Sequence, residues 1–414
     1  MPRSLPVVPP DASETTTPTV DVVIIGAGPA GSAAAIELAR AGRSVVVVDR
    51  ATFPRDKCCG DGLTTLALRE LAPLGLLPEH VPSWATVHEV WLRSPSGREV
   101  RLEMPDGGIF AATTPRRELD DALMRLAREE GALVHEAHML TALHLHADRV
   151  TVHCNGPDGD VAFDAAYVIA ADGMWSPTRK LLGLDDPGYR GEWHAFRQYA
   201  SNVTGPAAHR LYVWFDDDLL PGYAWSFPLP GGRANLGYGV LRDGSRSGKD
   251  MKAIWEGLIE RPHIRAALGP DATLDDRHTA WPIPAGIDRA VLAADRVLFV
   301  GDAVRATDVM TGEGIGQAVL TGRLAAESVI ECQHLGPSTV RGHYERAVRH
   351  ELFADHTMSK VLSGWLARPL LARGAVRLVG LTAWTRRNFV RWMFEDEARA
   401  VVFTPRRWHR RFLR

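Results

Sequence analysis

Three observations in the sequence predict an α/β fold: a parallel, helix-covered sheet, a mixed β-sheet inserted into it, and a helical C-terminal region. First, residues 22–25 form a continuous apolar run closed by glycine, 30–41 are Ala-rich with Ile36 and Leu38, and 44–48 are again apolar. That order is strand, helix, strand, with each strand buried on both faces and joined by a right-handed crossover. Second, 87–102 and 189–240 alternate in part between apolar and polar residues and carry turns and aromatics, which is β character of another kind. Third, the chain from about 341 has helical periodicity and is rich in Arg and Trp.

The remaining elements follow in order. Gly42 closes the first helix. Residues 117–130 predict a second helix, with Leu119, Leu123, Leu126 and Ala127 on one face and Gly131 as its cap. Short apolar runs at 167–171 and 296–300 predict two more buried strands, and 312–330 a long Ala/Leu-rich helix. These place a nucleotide-binding domain at 20–85, 111–185 and 285–340, and a substrate domain at 86–110 and 186–284. A leader occupies 1–19, and a basic helical region 341–414.

Composition narrows the partners. With 414 residues and 45% hydrophobic content, the chain has ample core for two or three domains. A net charge of −2 gives no reason to expect nucleic acid. Four cysteines are too few for a disulfide framework at this length, so a reducing cytoplasm is the expected compartment. The leader is proline-rich without an apolar segment after a basic start, and the most apolar stretch of the tail, 361–385, is interrupted by Arg368, Arg373 and Arg377. Charge is uneven. Sixteen basic against six acidic residues give 341–414 a charge of +10, leaving −12 on the rest. Such a tail suits either a solvated helical face or an anionic surface.

The turn Gly26-Ala27-Gly28-Pro29-Ala30-Gly31 stands between strand and helix. Gly26 allows the tight turn, Gly28 lets the backbone approach a pyrophosphate, and Gly31 permits close helix–strand packing. The helix start offers free N–H groups to phosphate. Asp49 ends the second strand, 21 positions after Gly28, where a carboxylate accepts from ribose hydroxyls; Arg50 beside it joins the cofactor-binding set. The turn marks a Rossmann-type domain without choosing between NAD and FAD. Two later segments choose FAD. Asp172 and Gly173 follow the strand at 167–171. Gly301-Asp302-Ala303 follows the strand at 296–300, with Asp302 placed for a ribityl chain. Gly312-Glu313-Gly314-Ile315-Gly316 then opens a helix whose dipole favours negative charge at the pyrimidine edge of a reduced flavin.

With these motifs in place, the chain resembles the geranylgeranyl reductase family, FAD-dependent relatives of the p-hydroxybenzoate hydroxylase-like flavoproteins. The resemblance covers about 20–340 and rests on the glycine turn, on Pro54-Arg55-Asp56-Lys57-Cys58-Cys59-Gly60-Asp61-Gly62-Leu63, on Pro221-Gly222-Tyr223-Ala224-Trp225-Ser226-Phe227-Pro228, and on Gly301 through Ile315. Two departures stand out: Val309 and Met310 where the family often has proline before GEG, and Cys58 where proline is common. The resemblance implies saturation of isolated C=C bonds in polyprenyl chains.

That chemistry needs a hydride donor, which reduced FAD supplies, and a long apolar slot. Tyr223, Trp225 and Phe227 alternate along a strand and so share a face, forming an aromatic wall beside the ring that holds an alkene and stabilises developing positive charge. Cys59, beside Gly60, is expected near the flavin, either gating the ring or serving proton delivery; a small buried side chain is the equally weighted alternative. Arg116 is expected to contact the cofactor, the alternative being a surface salt bridge with Asp120. The sixteen histidines show no metal spacing. No second dinucleotide turn is present, so the electron donor is NAD(P)H bound transiently, ferredoxin or free reduced flavin. Arg386, Arg387, Arg391, Arg406, Arg407, Arg410 and Arg411 interleave with Trp384, Trp392 and Trp408. That mixture predicts peripheral contact with an anionic membrane on its inner face. The competing reading on the same scaffold is a flavin-dependent monooxygenase or halogenase acting on an apolar or aromatic substrate.

Overall fold

The chain passes back and forth between two large sheets. The computed structural model describes residues 17–105, 108–242, 244, 248–401 and 404. β1 (Thr19–Ile25), α1 (Pro29–Arg40) and β2 (Val45–Val48) form the first βαβ unit, and β1 and β2 pair in parallel. β3 (Glu89–Arg93) and β4 (Glu99–Glu103) then belong to the second sheet. α2 (Arg116–Glu129) and β5 (Leu133–His135) return to the first, and β6 (Gly159–Ala170) pairs in parallel with β1.

The second sheet takes β7 (Trp193–Ser201), β8 (Leu211–Trp214), β9 (Tyr223–Leu229), β10 (Arg233–Leu241) and β11 (Thr279–Ile283). Its central order is β7-β10-β9-β8-β3-β4, antiparallel except where β8 runs parallel to β3, with β11 on β7. α3 (Gly248–Ile259) covers one face, burying Met251, Trp255 and Leu258 against Phe196, Leu236 and Tyr238. β12 (Val297–Phe299) rejoins the first sheet beside β6, whose order becomes β12-β6-β1-β2-β5. The run Val45–Val48 is buried throughout, as a strand covered on both faces must be.

α4 (Ile315–Cys332) packs against α1: the carbonyl oxygen of Ala30 lies 2.1 Å from where a Cβ on Gly322 would sit, so only glycine allows the approach. The predicted helix over 312–330 therefore begins three residues later, because Gly312 (φ +71°) and Gly314 form a turn that delivers the chain to Ile315. α5 (Pro337–Leu366), α6 (Pro369–Val379) and α7 (Ala383–Met393) follow, and Val376 and Val379 of α6, Val390 of α7 and Phe394 just after it pack against Val90, Leu92 and Val100. Among the described residues no helix is long and apolar enough to cross a membrane.

Candidate active site

A continuous cavity of about 1120 Å³ runs from the glycine turn to the C-terminal helices. At one end lies the turn. Gly26 adopts φ +104°, with the Ala171 carbonyl oxygen 2.4 Å from any added Cβ, and Gly31 has the Gly26 oxygen at 1.8 Å. Both positions therefore require glycine. Asp49 is buried, and part of its work is local: Oδ2 accepts from the Ala27 N–H and Oδ1 from the Ala51 N–H, each at 2.8 Å. It shapes the turn and still faces the cavity with its remaining acceptor capacity. Arg50 is exposed at the cavity rim.

Two guanidinium groups converge on Gly28: Arg55 Nη2 and Arg116 Nη2 lie 3.7 and 4.0 Å from its notional Cβ. Both pair with Asp120, Arg116 through two 2.7 Å bonds and Arg55 at 3.1 Å. The sequence alternative for Arg116, a surface salt bridge, is corrected: the bridge exists, but it is buried, with Asp120 fully so. Asp120 lies four residues after Arg116 on α2, one turn along the same face, which is why the pair forms. One carboxylate against two guanidiniums leaves net positive charge beside the turn. Asp172 Oδ1 is buried with no hydrogen-bond partner, and Arg55 Nη1, the atom of the 3.1 Å ion pair, makes no hydrogen bond beyond that pairing. Orphaned buried polar atoms lining a cavity call for a polar ligand, and the donor set fits a pyrophosphate. Arg55 does not stand out in the sequence as a cofactor residue; its place in Pro54-Arg55-Asp56-Lys57 is the one signal there.

Farther along, Asp302 lies 3.7 Å from Lys57 Nζ, which also sits 4.4 Å over the Trp281 ring. Burial lowers the Lys57 amine, opposed by Asp302. Gly301, Gly312, Gly314 and Ile315 line the cavity beside them. The departure at Met310 has a structural consequence. Its N–H donates to Asp308 Oδ1 (3.0 Å), a bond proline at this position could not make.

The aromatic wall forms as its alternation requires. Tyr223, Trp225 and Phe227 line the cavity with ring centroids 6.0 and 6.1 Å apart. Trp225 lies over Gly237, its partner on β10, where an added Cβ would come within 2.3 Å of Cζ2. Phe227 closes on Gly62, leaving 2.8 Å to a notional Cβ there. The Tyr223 hydroxyl donates to the Thr311 carbonyl, tying the wall to the loop before α4.

Asp61, which belongs to the Cys59-Gly60-Asp61-Gly62 motif but has no role legible in it, holds this corner. It is fully buried at φ +64° and accepts from Tyr199 OH and Asn235 Nδ2, both at 2.7 Å, and from the Arg116 N–H at 3.2 Å. Burial lifts its carboxyl to about 6 against those bonds. Asn235 in turn donates to the Cys59 carbonyl (2.9 Å) and accepts from Trp225 Nε1 (3.1 Å). Cys59 and Gly60 are thus fixed against the aromatic wall. Burial pushes the Cys59 thiol up to about 12, against the attraction of Arg116, so it is a thiol and not a thiolate at neutral pH.

Beyond the wall the cavity is lined by Leu362, Trp365, Leu371, Val376, Trp392 and Phe394 of the C-terminal helices. Two of the tail residues expected at a surface face inward instead. Arg391 pairs with Asp396 (2.6 Å) and Glu397 (2.5 Å), and Trp392 is half-buried, donating to the Arg399 carbonyl. Arg406, Arg407, Trp408, Arg410 and Arg411 lie outside the described residues.

The parallel sheet, its glycine turn and the paired returns at Asp172 and Asp302 define a dinucleotide-binding flavoprotein. Residues 19–326 match the family model described as FAD binding domain. The chain is 34% identical over 358 residues to menaquinone reductase of Mycobacterium tuberculosis, covering 79% of this chain and 81% of that protein. It is also 34% identical over 318 residues to digeranylgeranylglycerophospholipid reductase 1 of Methanopyrus kandleri, covering 75% and 80%. A geranylgeranyl bacteriochlorophyll reductase-like protein of Thermoplasma acidophilum shares the fold, with a TM-score of 0.78 at 21% identity over 95% of this chain and all of that one. The chain belongs to the geranylgeranyl reductase family of FAD-dependent oxidoreductases. Its cofactor is FAD.

Proposed function

We propose that this protein saturates C=C bonds of a polyprenyl chain, geranylgeranyl or menaquinone-like, using FAD. The observation that carries the reading is the continuity of the cavity from the Gly28 cradle, past the aromatic wall, to the apolar C-terminal helices. The curated relatives named for menaquinone and digeranylgeranylglycerophospholipid reduction support the substrate class. Reduced FAD supplies hydride. The chain's own residues do the rest. The turn with Gly26, Gly28, Ala30 and Gly31, Asp49 and Arg50 at the ribose end, and Arg116 with Arg55 hold the dinucleotide. Asp172, Gly301, Asp302, Gly312, Gly314 and Ile315 with Cys59 and Gly60 frame the ring end. Tyr223, Trp225 and Phe227 hold the alkene flat and exclude water. In this reading the second sheet, residues 86–110 and 186–284, is a substrate domain inserted into the FAD-binding domain.

The substrate enters from a membrane. Trp365, Leu371 and Leu378 line the cavity's apolar end and are exposed; Leu370 (79%), Leu381 and Trp384 of the same helical segment are exposed too, and exposed Arg368, Arg377 and Arg387 are interspersed with them in the sequence. Apolar side chains ringed by arginine suit an anionic lipid surface. In this reading the membrane-facing surface takes in 365–387, overlapping the Arg- and Trp-rich segment that begins at Trp384. Electrons come from NAD(P)H, ferredoxin or free reduced flavin.

The test is anaerobic incubation of FAD-loaded, chemically reduced protein with polyprenyl lipids, followed by mass spectrometry. Each saturated bond adds the mass of two hydrogen atoms. Unchanged lipid, with an oxygen- or halide-containing product formed only in air, would favour a monooxygenase or halogenase instead.

A further inference from the structure

Saturating a C=C bond takes two hydrogens. The hydride forms one C–H bond; the other needs a proton from an acid on the cavity wall. That requirement rests on the reading proposed above. Several described residues on or behind the wall carry acidic protons; among them Cys58 donates to the Thr279 carbonyl and is pushed up to about 11 by burial. The Cys59 thiol is pushed up to about 12. The Tyr223 hydroxyl is raised by burial and already donates to Thr311. The Lys57 ammonium is engaged with Asp302 and the Trp281 face. Asp61 is enclosed by Tyr199 and Asn235 behind Gly60 and Gly62.

Glu313 remains. It stands in the turn before α4, lines the cavity, and its Oε1 accepts from the N–H groups of Gly314 (3.2 Å) and Ile315 (3.0 Å). Behind it is a second carboxyl brought from the far end of the sequence. Glu395, at φ +63° just past α7, is buried; Oε2 accepts from Thr64 (3.0 Å) and Oε1 from Gln317 (2.9 Å). The Phe394 carbonyl, accepting from the Thr65 N–H (2.8 Å), pins this segment. A third carboxyl, Asp308, is held by the Met310 and Thr311 N–H groups and by the Thr311 and Ser359 hydroxyls. Among the described residues the neighbouring cation is Arg399, 3.8 Å from Glu395 and 4.0 Å from Asp308. Asp355 adds further negative charge toward Glu395. One guanidinium cannot neutralise this group, so protons stay bound. Burial and the Glu395 charge lift Glu313 to about 8, against its two backbone bonds, and burial lifts Glu395 to about 7 against Arg399.

We infer that Glu313 delivers the proton to the second alkene carbon and that Glu395 returns one to it. In that step the Glu313 O–H bond breaks, the alkene's π electron pair and the incoming hydride pair make the two new C–H bonds, and Glu313 is left as a carboxylate until Glu395 reprotonates it, Glu395 then recovering a proton from water.

The test uses full-length, FAD-loaded protein with Glu313→Gln and Glu395→Gln, since glutamine keeps an oxygen to accept the same N–H bonds. In anaerobic single turnover with a polyprenyl lipid, E313Q is expected to lose about 100-fold or more in rate. It should lose the wild-type decline toward alkaline pH, while binding FAD as before. Infrared spectra, which need no turnover, should show a protonated-carboxyl band in wild type that fades as pH rises through about 8 and is missing in E313Q. In E395Q the repulsion is gone, so the Glu313 band should fade at lower pH and the rate profile should shift the same way. An E313Q variant as fast as wild type at every pH would overturn the inference alone. Wild type that reduces no polyprenyl lipid would overturn the reductase reading and the delivery role with it, while the band would still report a proton-holding pair.

Discussion

The two ends of the cavity are built on different physical terms. At the glycine-turn end the cavity presents the start of a helix, two glycines that admit no side chain, and a pair of arginines on one buried carboxylate. At the other end it presents three aromatic rings, with Trp225 held by a short polar chain from Asp61 through Asn235, and a ring of apolar side chains. The framework of the first end is local, since its turn, helix start and strands lie within 19–49, and only its arginines come from farther along the chain. The second is assembled from separate stretches of chain. A local site depends on backbone space and fails completely when that space is filled. An assembled site depends on bonds among distant parts, so single changes should weaken it by degrees.

The largest effect should come from filling the turn. Gly31→Val places a Cβ 1.8 Å from the Gly26 oxygen, a contact with backbone that cannot be relieved by a rotamer. The expected outcome is colourless, largely insoluble protein; a variant purified with its full yellow absorbance would break the comparison at its strongest point.

Asp61→Asn comes next. The amide retains one oxygen but cannot accept from all the donors that now converge on the carboxylate. Removing one member of a buried hydrogen-bonded set costs about 1–3 kcal/mol, read as a lower denaturant midpoint, and loosening of Trp225 should raise KM for the lipid with FAD still bound.

Arg55→Ala tests the nucleotide end more gently. Asp120 keeps both bonds to Arg116, so the fold should stand, while FAD dissociation should rise about 10-fold or more for the loss of a charge-assisted contact.

Stability against pH sharpens the substrate end. Glu313 and Glu395 bind protons more tightly folded than unfolded, their carboxyls rising from 4.5 to about 8 and about 7. Their contribution is therefore complete below pH 4.5 and is lost as pH rises toward 8. Melting temperature should fall as pH rises from about 4.5 to about 8, and less steeply in E313Q.

The smallest effect should be at the rim. Leu370→Ser with Leu378→Ser removes two exposed side chains, so stability should hold within about 0.5 kcal/mol. Flotation with anionic liposomes should decline several-fold. Equal flotation would place the membrane contact elsewhere.

Periodicity and spacing alone determined much of this protein. A buried strand, a glycine turn and an acid at fixed spacing have few physical solutions, so the dinucleotide end is legible within residues 19–49. The side-chain period of two likewise puts Tyr223, Trp225 and Phe227 on one face from their spacing in the sequence. The start of α4 falls three residues later than the sequence predicts because glycines permit a helix without requiring one. What only the tertiary structure decided is how residues far apart in sequence share charge. Arg55 meets Arg116 across Asp120, and Asp61 meets Tyr199 and Asn235 at separations of 138 and 174 residues. Glu395, in sequence one more charge in a basic tail, folds back onto Thr64 and Gln317 at the ring end of the site. Arg391 and Arg399 turn inward for the same reason: a buried carboxyl needs a partner, and which partner it finds is fixed by packing, not by position in the chain.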